Sequence, residues 1–160
     1  MLPVTDHALA FLERNAARPF LLSLHYREPH SAWLPTREED WLPYRELDVL
    51  LPEPEFPLLD VKKVKRMTRE YYASIASVDR NVGRVLEAID RLGIAANTIV
   101  VFTSDHGYFY GEHCLSVERR LAYEEGIRVP LLMRLSGTIR AGSTPAEFAR
   151  IQQLNADYNA

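Results

Sequence analysis

Cysteine is nearly absent. Cys114 is the single one in 160 residues, so no internal disulfide forms, and one thiol does not fix the redox compartment. No apolar run approaches the roughly 18 residues that a membrane-spanning helix needs. Neither sign of charge dominates. Lys and Arg number 19 against 22 Asp and Glu, a formal charge of −3, which gives no reason to expect nucleic acid or an anionic membrane as partner. The opening MLPVTDHALAFLERN has no basic stretch and no long apolar core, so it does not read as a signal peptide. What is present is 47% apolar and 26% charged, which suits a soluble globular body the size of one ordinary domain.

The order of elements suggests an α/β layer. Thr5 or Asp6 can cap a helix over 5–17, with Leu9, Leu12 and Ala16 on one face. Pro19 ends it, and PFLLSLHY, residues 19–26, reads as a buried strand. Residues 28–60 carry six prolines, Trp33, Trp41 and many charges, which marks a long ordered loop or surface excursion. A helix over 65–92 follows, with a stripe of Tyr71, Ile75, Val78, Val82, Val85, Ile89 and Leu92, and Gly93 stands where a C′ residue belongs. TIVVFTS then reads as a strand apolar enough to be covered on both faces, as in a parallel sheet. RVPLLMRL, residues 128–135, reads as another strand with Pro130 near its start.

Three polar clusters sit where such layers bind ligands, beyond the carboxyl ends of strands. Asp105 and His106 follow the strand directly, and a carboxylate and an imidazole adjacent on a tight turn can both face a metal. Gly107 clears the turn of a side chain. The competing reading is a solvated turn with a capping aspartate. In GEHCLSVERR, Glu112 and His113 can add a ligand or brace one, and Arg119 and Arg120 can meet an anion; an ordinary charged loop would look the same. In HYREPH, His25, Arg27 and His30 emerge at the end of strand 19–26. A histidine there can protonate a leaving group and an arginine can hold an anion through its fork, or His25 can be half-buried and Arg27 merely exposed. Glu124 and Arg128 are four apart and can pair, so YEEGIRVP reads as the scaffold that sets the metal turn against strand 128–135. Cys114 reads as a small hydrophobe rather than a nucleophile.

The stretches PFLLSLHYREPHSAWLP, YYASIASVDRNVGRVLEAIDRLGIAANTIVVFTSDHGYFYGEH and RRLAYEEGIRVPLLMR resemble the sulfatases of the alkaline phosphatase superfamily, from about residue 3 to residue 145. The resemblance implies a doubly wound, three-layer α/β/α fold with a mostly parallel sheet, here incomplete. It makes 1–160 a partial catalytic domain, with a proline-rich loop region over 27–60, the long helix over 65–92, and a strand and metal turn over 98–107. It implies hydrolysis of sulfate monoesters through a formylglycine nucleophile and a divalent metal, calcium before magnesium or manganese. By the same resemblance Asp105 and His106 are metal ligands, and His30 contacts the sulfate and the leaving oxygen. Arg27 falls where many members have a lysine beside that position. Arg119 falls near a family lysine that contacts sulfate; ERRLAYEE has one extra residue, so the role lies between Arg119 and Arg120.

Two departures bear on activity. No strand ending in paired aspartates is present to complete the metal site. CLSVERR carries Ser116 and Glu118 where the family's Cys-x-Pro-x-Arg signature has proline and arginine, and it lies downstream of the metal turn. IQQLNADYNA resembles the family's Asn-x-Asp stretch. The chain is therefore expected to be an internal piece of a sulfatase domain, inactive alone and binding calcium weakly, with the formylglycine in a segment outside it. The expected partner is a sulfated small molecule or glycan, with no nucleic acid or membrane. Oligomeric state stays open, as do periplasmic, secreted and cytoplasmic locations. Two rival readings are a phosphomonoester or phosphodiester hydrolase of the same superfamily and a non-catalytic fragment. A Cys-x-Pro-x-Arg segment would mark sulfate chemistry, and a bare serine or threonine phosphate chemistry.

Overall fold

Two helices lie side by side in the computed structural model, which describes residues 2–33, 37–52, 57–115 and 120–144. They are α1 (Leu2–Asn15) and α3 (Val61–Arg91). Asp6 meets Arg84 at 2.6 Å and Glu13 meets Arg91 at 3.1 Å. The step between pairs is the same in both helices, so α1 and α3 run parallel. Leu12, Ala88 and Ile89 are buried between them. Both ion pairs are exposed and contribute little beyond alignment.

Each helix is followed by an extended segment that folds back on the pair. After α1, Phe20 and Leu22 pack on the Leu12–Ile89 cluster; after α3, Val100 does. The two segments therefore run in the same direction and end at the same edge of the layer. This places HYREPH and the turn after strand β1 (Val100–Thr103) at one end.

Three expectations need correction. Residues 19–26 are extended, with exposure alternating along the chain, but they form no ladder among the described residues, and Leu21 is 91% exposed rather than buried. An extended segment becomes a strand only when a neighbour takes its N–H and C=O groups. Second, β1 pairs with β2 (Leu131–Arg134) in antiparallel register, Val101 opposite Met133. The parallel relation is seen in the directions of 19–26 and β1, not in a ladder. Third, β1 is covered on one face only. Val100 faces the helices and Arg134 pairs with Asp90 of α3, whereas Ile99, Val101, Leu131 and Met133 are exposed.

Helix α3 begins at Val61 because Asp60 caps it, its carboxylate accepting the Lys63 N–H at 2.9 Å. It ends in a Schellman motif. The Gly93 N–H donates to Asp90 O and the Ile94 N–H to Ile89 O, with Gly93 at φ +70°. Its buried side differs from the expected stripe. Ile75 is exposed, while Ser74, Ser77 and Asn81 are buried. Asn81 and Thr68 fit there because they bond back to the helix, Asn81 Nδ2 donating to Ser77 O at 2.7 Å and Thr68 Oγ1 to Val64 O at 2.9 Å, whereas the buried Ser74 Oγ has no hydrogen-bond partner among the described residues.

The proline-rich excursion contains α2 (Glu38–Trp41) and a 3₁₀ turn over Leu42–Tyr44. Buried Asp40 ties it to α3, accepting from Arg80 Nε at 3.0 Å and from Arg80 Nη2 at 2.7 Å. The Arg80 guanidinium beside it holds the Asp40 carboxyl below the usual aspartate range.

Candidate active site

Strand β1 delivers Asp105 and His106 two and three residues past its end. The Asp105 carboxylate accepts the His106 N–H at 3.0 Å, and Ser104 Oγ donates to His106 O at 3.2 Å. Desolvation is the largest single influence on the Asp105 carboxyl and raises its pKa, but the His106 N–H and imidazole, with the Asp105 N–H and Ser104, together outweigh it, and the carboxyl sits below its ordinary value. The His106 Nδ1 lies 2.8 Å from Gly107 O. A carbonyl only accepts, so Nδ1 carries the proton and Nε2 keeps its lone pair. That Nε2 lies 3.7 Å from Asp105 Oδ2, so two atoms of ligand type for a divalent ion stand side by side.

The turn is held from below by α4 (Glu124–Ile127). The Gly107 N–H donates to Gly126 O at 2.9 Å. A Cβ on Gly107 would stand 2.0 Å from Glu125 O, so glycine is required there by close backbone approach rather than by the turn alone. Phe109 is fully buried against Gly126, whose own Cβ would stand 3.4 Å from that ring. Glu112 turns back to accept the Tyr110 N–H, and His113 Nε2 lies 2.9 Å from Glu125 while its ring stacks on Tyr123. Glu112 and His113 are thus occupied in the fold of their own loop. Glu124 and Arg128 approach to 3.7 Å, both exposed.

At the end of 19–26, residues 27–30 form a turn in which the His30 N–H donates to Arg27 O at 3.0 Å. His30 Nδ1 lies 2.6 Å from Ser31 O and must donate, which leaves its Nε2 open. The Arg27 guanidinium reaches Ser31 O only at 3.4 Å and is exposed. His25 turns aside to Ser23 Oγ at 2.8 Å.

An aromatic cluster joins the two turns. Trp33 is 5% exposed and packs on Tyr71, Tyr108 and Tyr110. Tyr108 in turn meets the His106 ring edge-on, centroids 5.8 Å apart. Burial among these rings pushes the Tyr71 and Tyr110 phenols above their ordinary values. Arg119 lies outside the described residues; Arg120 is within them and exposed.

Asp105 and His106 suit a divalent ion in kind but not in number. No cluster of three or more His, Cys, Asp or Glu able to hold a metal occurs among the described residues. Calcium takes six to eight oxygen ligands, so these two donors alone do not hold it firmly.

The α/β layer, with a carboxylate–imidazole turn at a strand's carboxyl end, is of alkaline phosphatase-like fold. The chain matches the sulfatase family over residues 3–159, and it belongs to that family. It is 40% identical over 96 residues to an N-acetylglucosamine-6-O-sulfatase of Bacteroides thetaiotaomicron, covering 60% of this chain and 16% of that protein. The solved structure of YidJ, a sulfatase-family protein of Bacteroides fragilis, is similar at TM-score 0.76 and 29% identity, over 86% of this chain and 31% of that one. A protein solved in complex with its substrate D-glucosamine-2-N,6-O-disulfate is similar at TM-score 0.68 and 26% identity, over 88% of this chain and 44% of that one. The chain spans less than half the length of each of these three proteins.

Proposed function

We propose that the chain carries part of the catalytic site of a sulfuric ester hydrolase acting on a sulfated sugar or other sulfated small molecule. The observation that carries this reading is the turn after β1, where Asp105 Oδ2 and His106 Nε2 lie 3.7 Å apart in a chain of the sulfatase family. The relatives that act on glucosamine sulfates support the substrate class.

Hydrolysis of a sulfate monoester breaks the S–O bond to the alcohol, and the departing oxygen must gain a proton. His30 suits that role, because Ser31 O holds the Nδ1–H and the open Nε2 can carry a second proton in the imidazolium form and deliver it to the departing oxygen. Arg27 supplies positive charge beside it for the sulfate oxygens, and Arg119 or Arg120 adds a second cation. Asp105 and His106 contribute two of the ligands of a calcium ion, which would neutralise sulfate charge when bound. The nucleophile, a formylglycine, belongs to a Cys-x-Pro-x-Arg or Ser-x-Pro-x-Arg segment, and no such segment occurs in these 160 residues.

Two measurements test the reading. In a sulfatase that carries this sequence, Asp105→Ala is expected to lower turnover of 4-nitrophenyl sulfate by at least about a hundredfold. Turnover that survives the change overturns the assignment. For the 160-residue chain itself, calorimetry with calcium is expected to give a dissociation constant of about 1 mM or weaker, lost in Asp105→Ala, with no turnover of the aryl sulfate.

A further inference from the structure

His30 and His106 sit on turns separated by 76 positions of sequence (106 − 30), and neither turn belongs to a ladder that would fix it against the other. Something else must hold them in register. Trp33 is placed to do so. Its indole Nε1–H donates to Pro29 O at 2.7 Å, which pins the carbonyl immediately before His30. Its ring lies 6.3 Å from that of Tyr108, and Tyr108 lies 5.8 Å from the His106 imidazole. The His106 ring is thus fixed on one side by Gly107 O and on another by Tyr108. Tyr71 of α3 and Tyr110 pack on the indole beside Tyr108, the three rings also meeting one another, and the tryptophan is 5% exposed, so it has little room to shift.

We propose that Trp33 is a positioning residue that couples the two halves of the candidate site. Its hydrogen bond sets the His30 turn, and its contact with Tyr108 sets the His106 imidazole against it. The role needs an aromatic ring and a donor in one side chain, which explains a fully packed tryptophan in an otherwise proline-rich, charged stretch. It rests on the reading of His30 and His106 as one site, but it acts through geometry alone and does not require that a metal or substrate be present.

The test is NMR of the whole chain with labelled histidine. Trp33→Leu removes both the indole donor and the ring that packs on Tyr108. The His30 and His106 ring signals are both expected to shift, while His7 on α1 stays in place. Exchange of the His30 amide, which donates to Arg27 O, should quicken by about tenfold. Movement at His30 alone, or at neither ring, overturns the proposal. Should Trp33→Leu fail to fold, Tyr108→Leu breaks the same link from the other end. It is expected to move the His106 ring and, through Trp33, the His30 ring; a His30 signal unchanged in that variant overturns the coupling. Loss of calcium binding in Asp105→Ala is read separately, so the site reading and the coupling can fail independently.

Discussion

His30 and His106 are held by the same device. Each donates Nδ1–H to a main-chain carbonyl next to it, Ser31 O or Gly107 O, and keeps Nε2 outward. Residue types alone suggest a ligand and an acid, but the tautomer depends on carbonyl directions that only the folded turn provides. Gly107 makes the same point more sharply. From the chain it reads as a turn glycine; in the fold it is the place where the backbone of Glu125 passes, 18 positions away (125 − 107), at a distance that excludes any Cβ. Gly107→Ala is therefore expected to cost about 2–4 kcal/mol, with backbone atoms that cannot give way. Gly93→Ala, at φ +70° with open space around it, should cost only about 1 kcal/mol. Urea unfolding of the two variants checks the order. An equal loss would mean that α4 does not press on the turn. Contacts across such spans leave no periodic trace, which is why Glu112 and His113 read equally well as ligands and as braces.

Elements with their own caps and periodicity were legible; the angle at which they face each other was not. Helix α3 announces itself through spacing and Gly93, yet its buried side includes Ser77 and Asn81, because polar groups that bond back to the helix can enter a contact that the apolar stripe does not mark. The excursion over α2 is another case: prolines and charges suggest a surface loop, but buried Asp40 and Arg80 fasten it to α3. This pair makes stability depend on pH in a definite direction. Because Arg80 lowers the folded pKa of Asp40, its contribution is fully present above the ordinary aspartate value near ~3.9 and is lost as pH falls through the lowered folded value. Asp40→Asn is expected to cost about 2–4 kcal/mol at pH 7, toward the low side for a buried pair because Arg80 keeps some water, and to flatten the stability profile below about pH 4. Urea midpoints between pH 7 and pH 2.5 decide it. A variant with the same acid profile as the parent would remove Asp40 from the account.

At the scale of the whole molecule, the helices cover the Val100 side of β1 and leave its other face open, and Leu132 of β2 is 63% exposed as well. Ile99, Val101, Leu131 and Met133 share that open face and are 43–61% exposed, and Leu21 on the extended segment is more so. Apolar patches of this kind promote association in water. The apolar run of β1 pointed to burial on two sides; helix packing supplies only one, so the second side is where sequence and structure part. The chain is expected to associate in sedimentation velocity at concentrations of tens of micromolar and to bind a hydrophobic dye. Val101 and Met133 stand directly opposite each other, so Val101→Lys with Met133→Glu replaces two apolar groups by a cross-strand pair on the open face. The double variant should remain monomeric, bind less dye and keep its stability within about 1 kcal/mol, because neither side chain is buried. Association that persists in it would show that a different surface brings the chains together. A loss of several kcal/mol would show that the face is already packed against something in the folded chain.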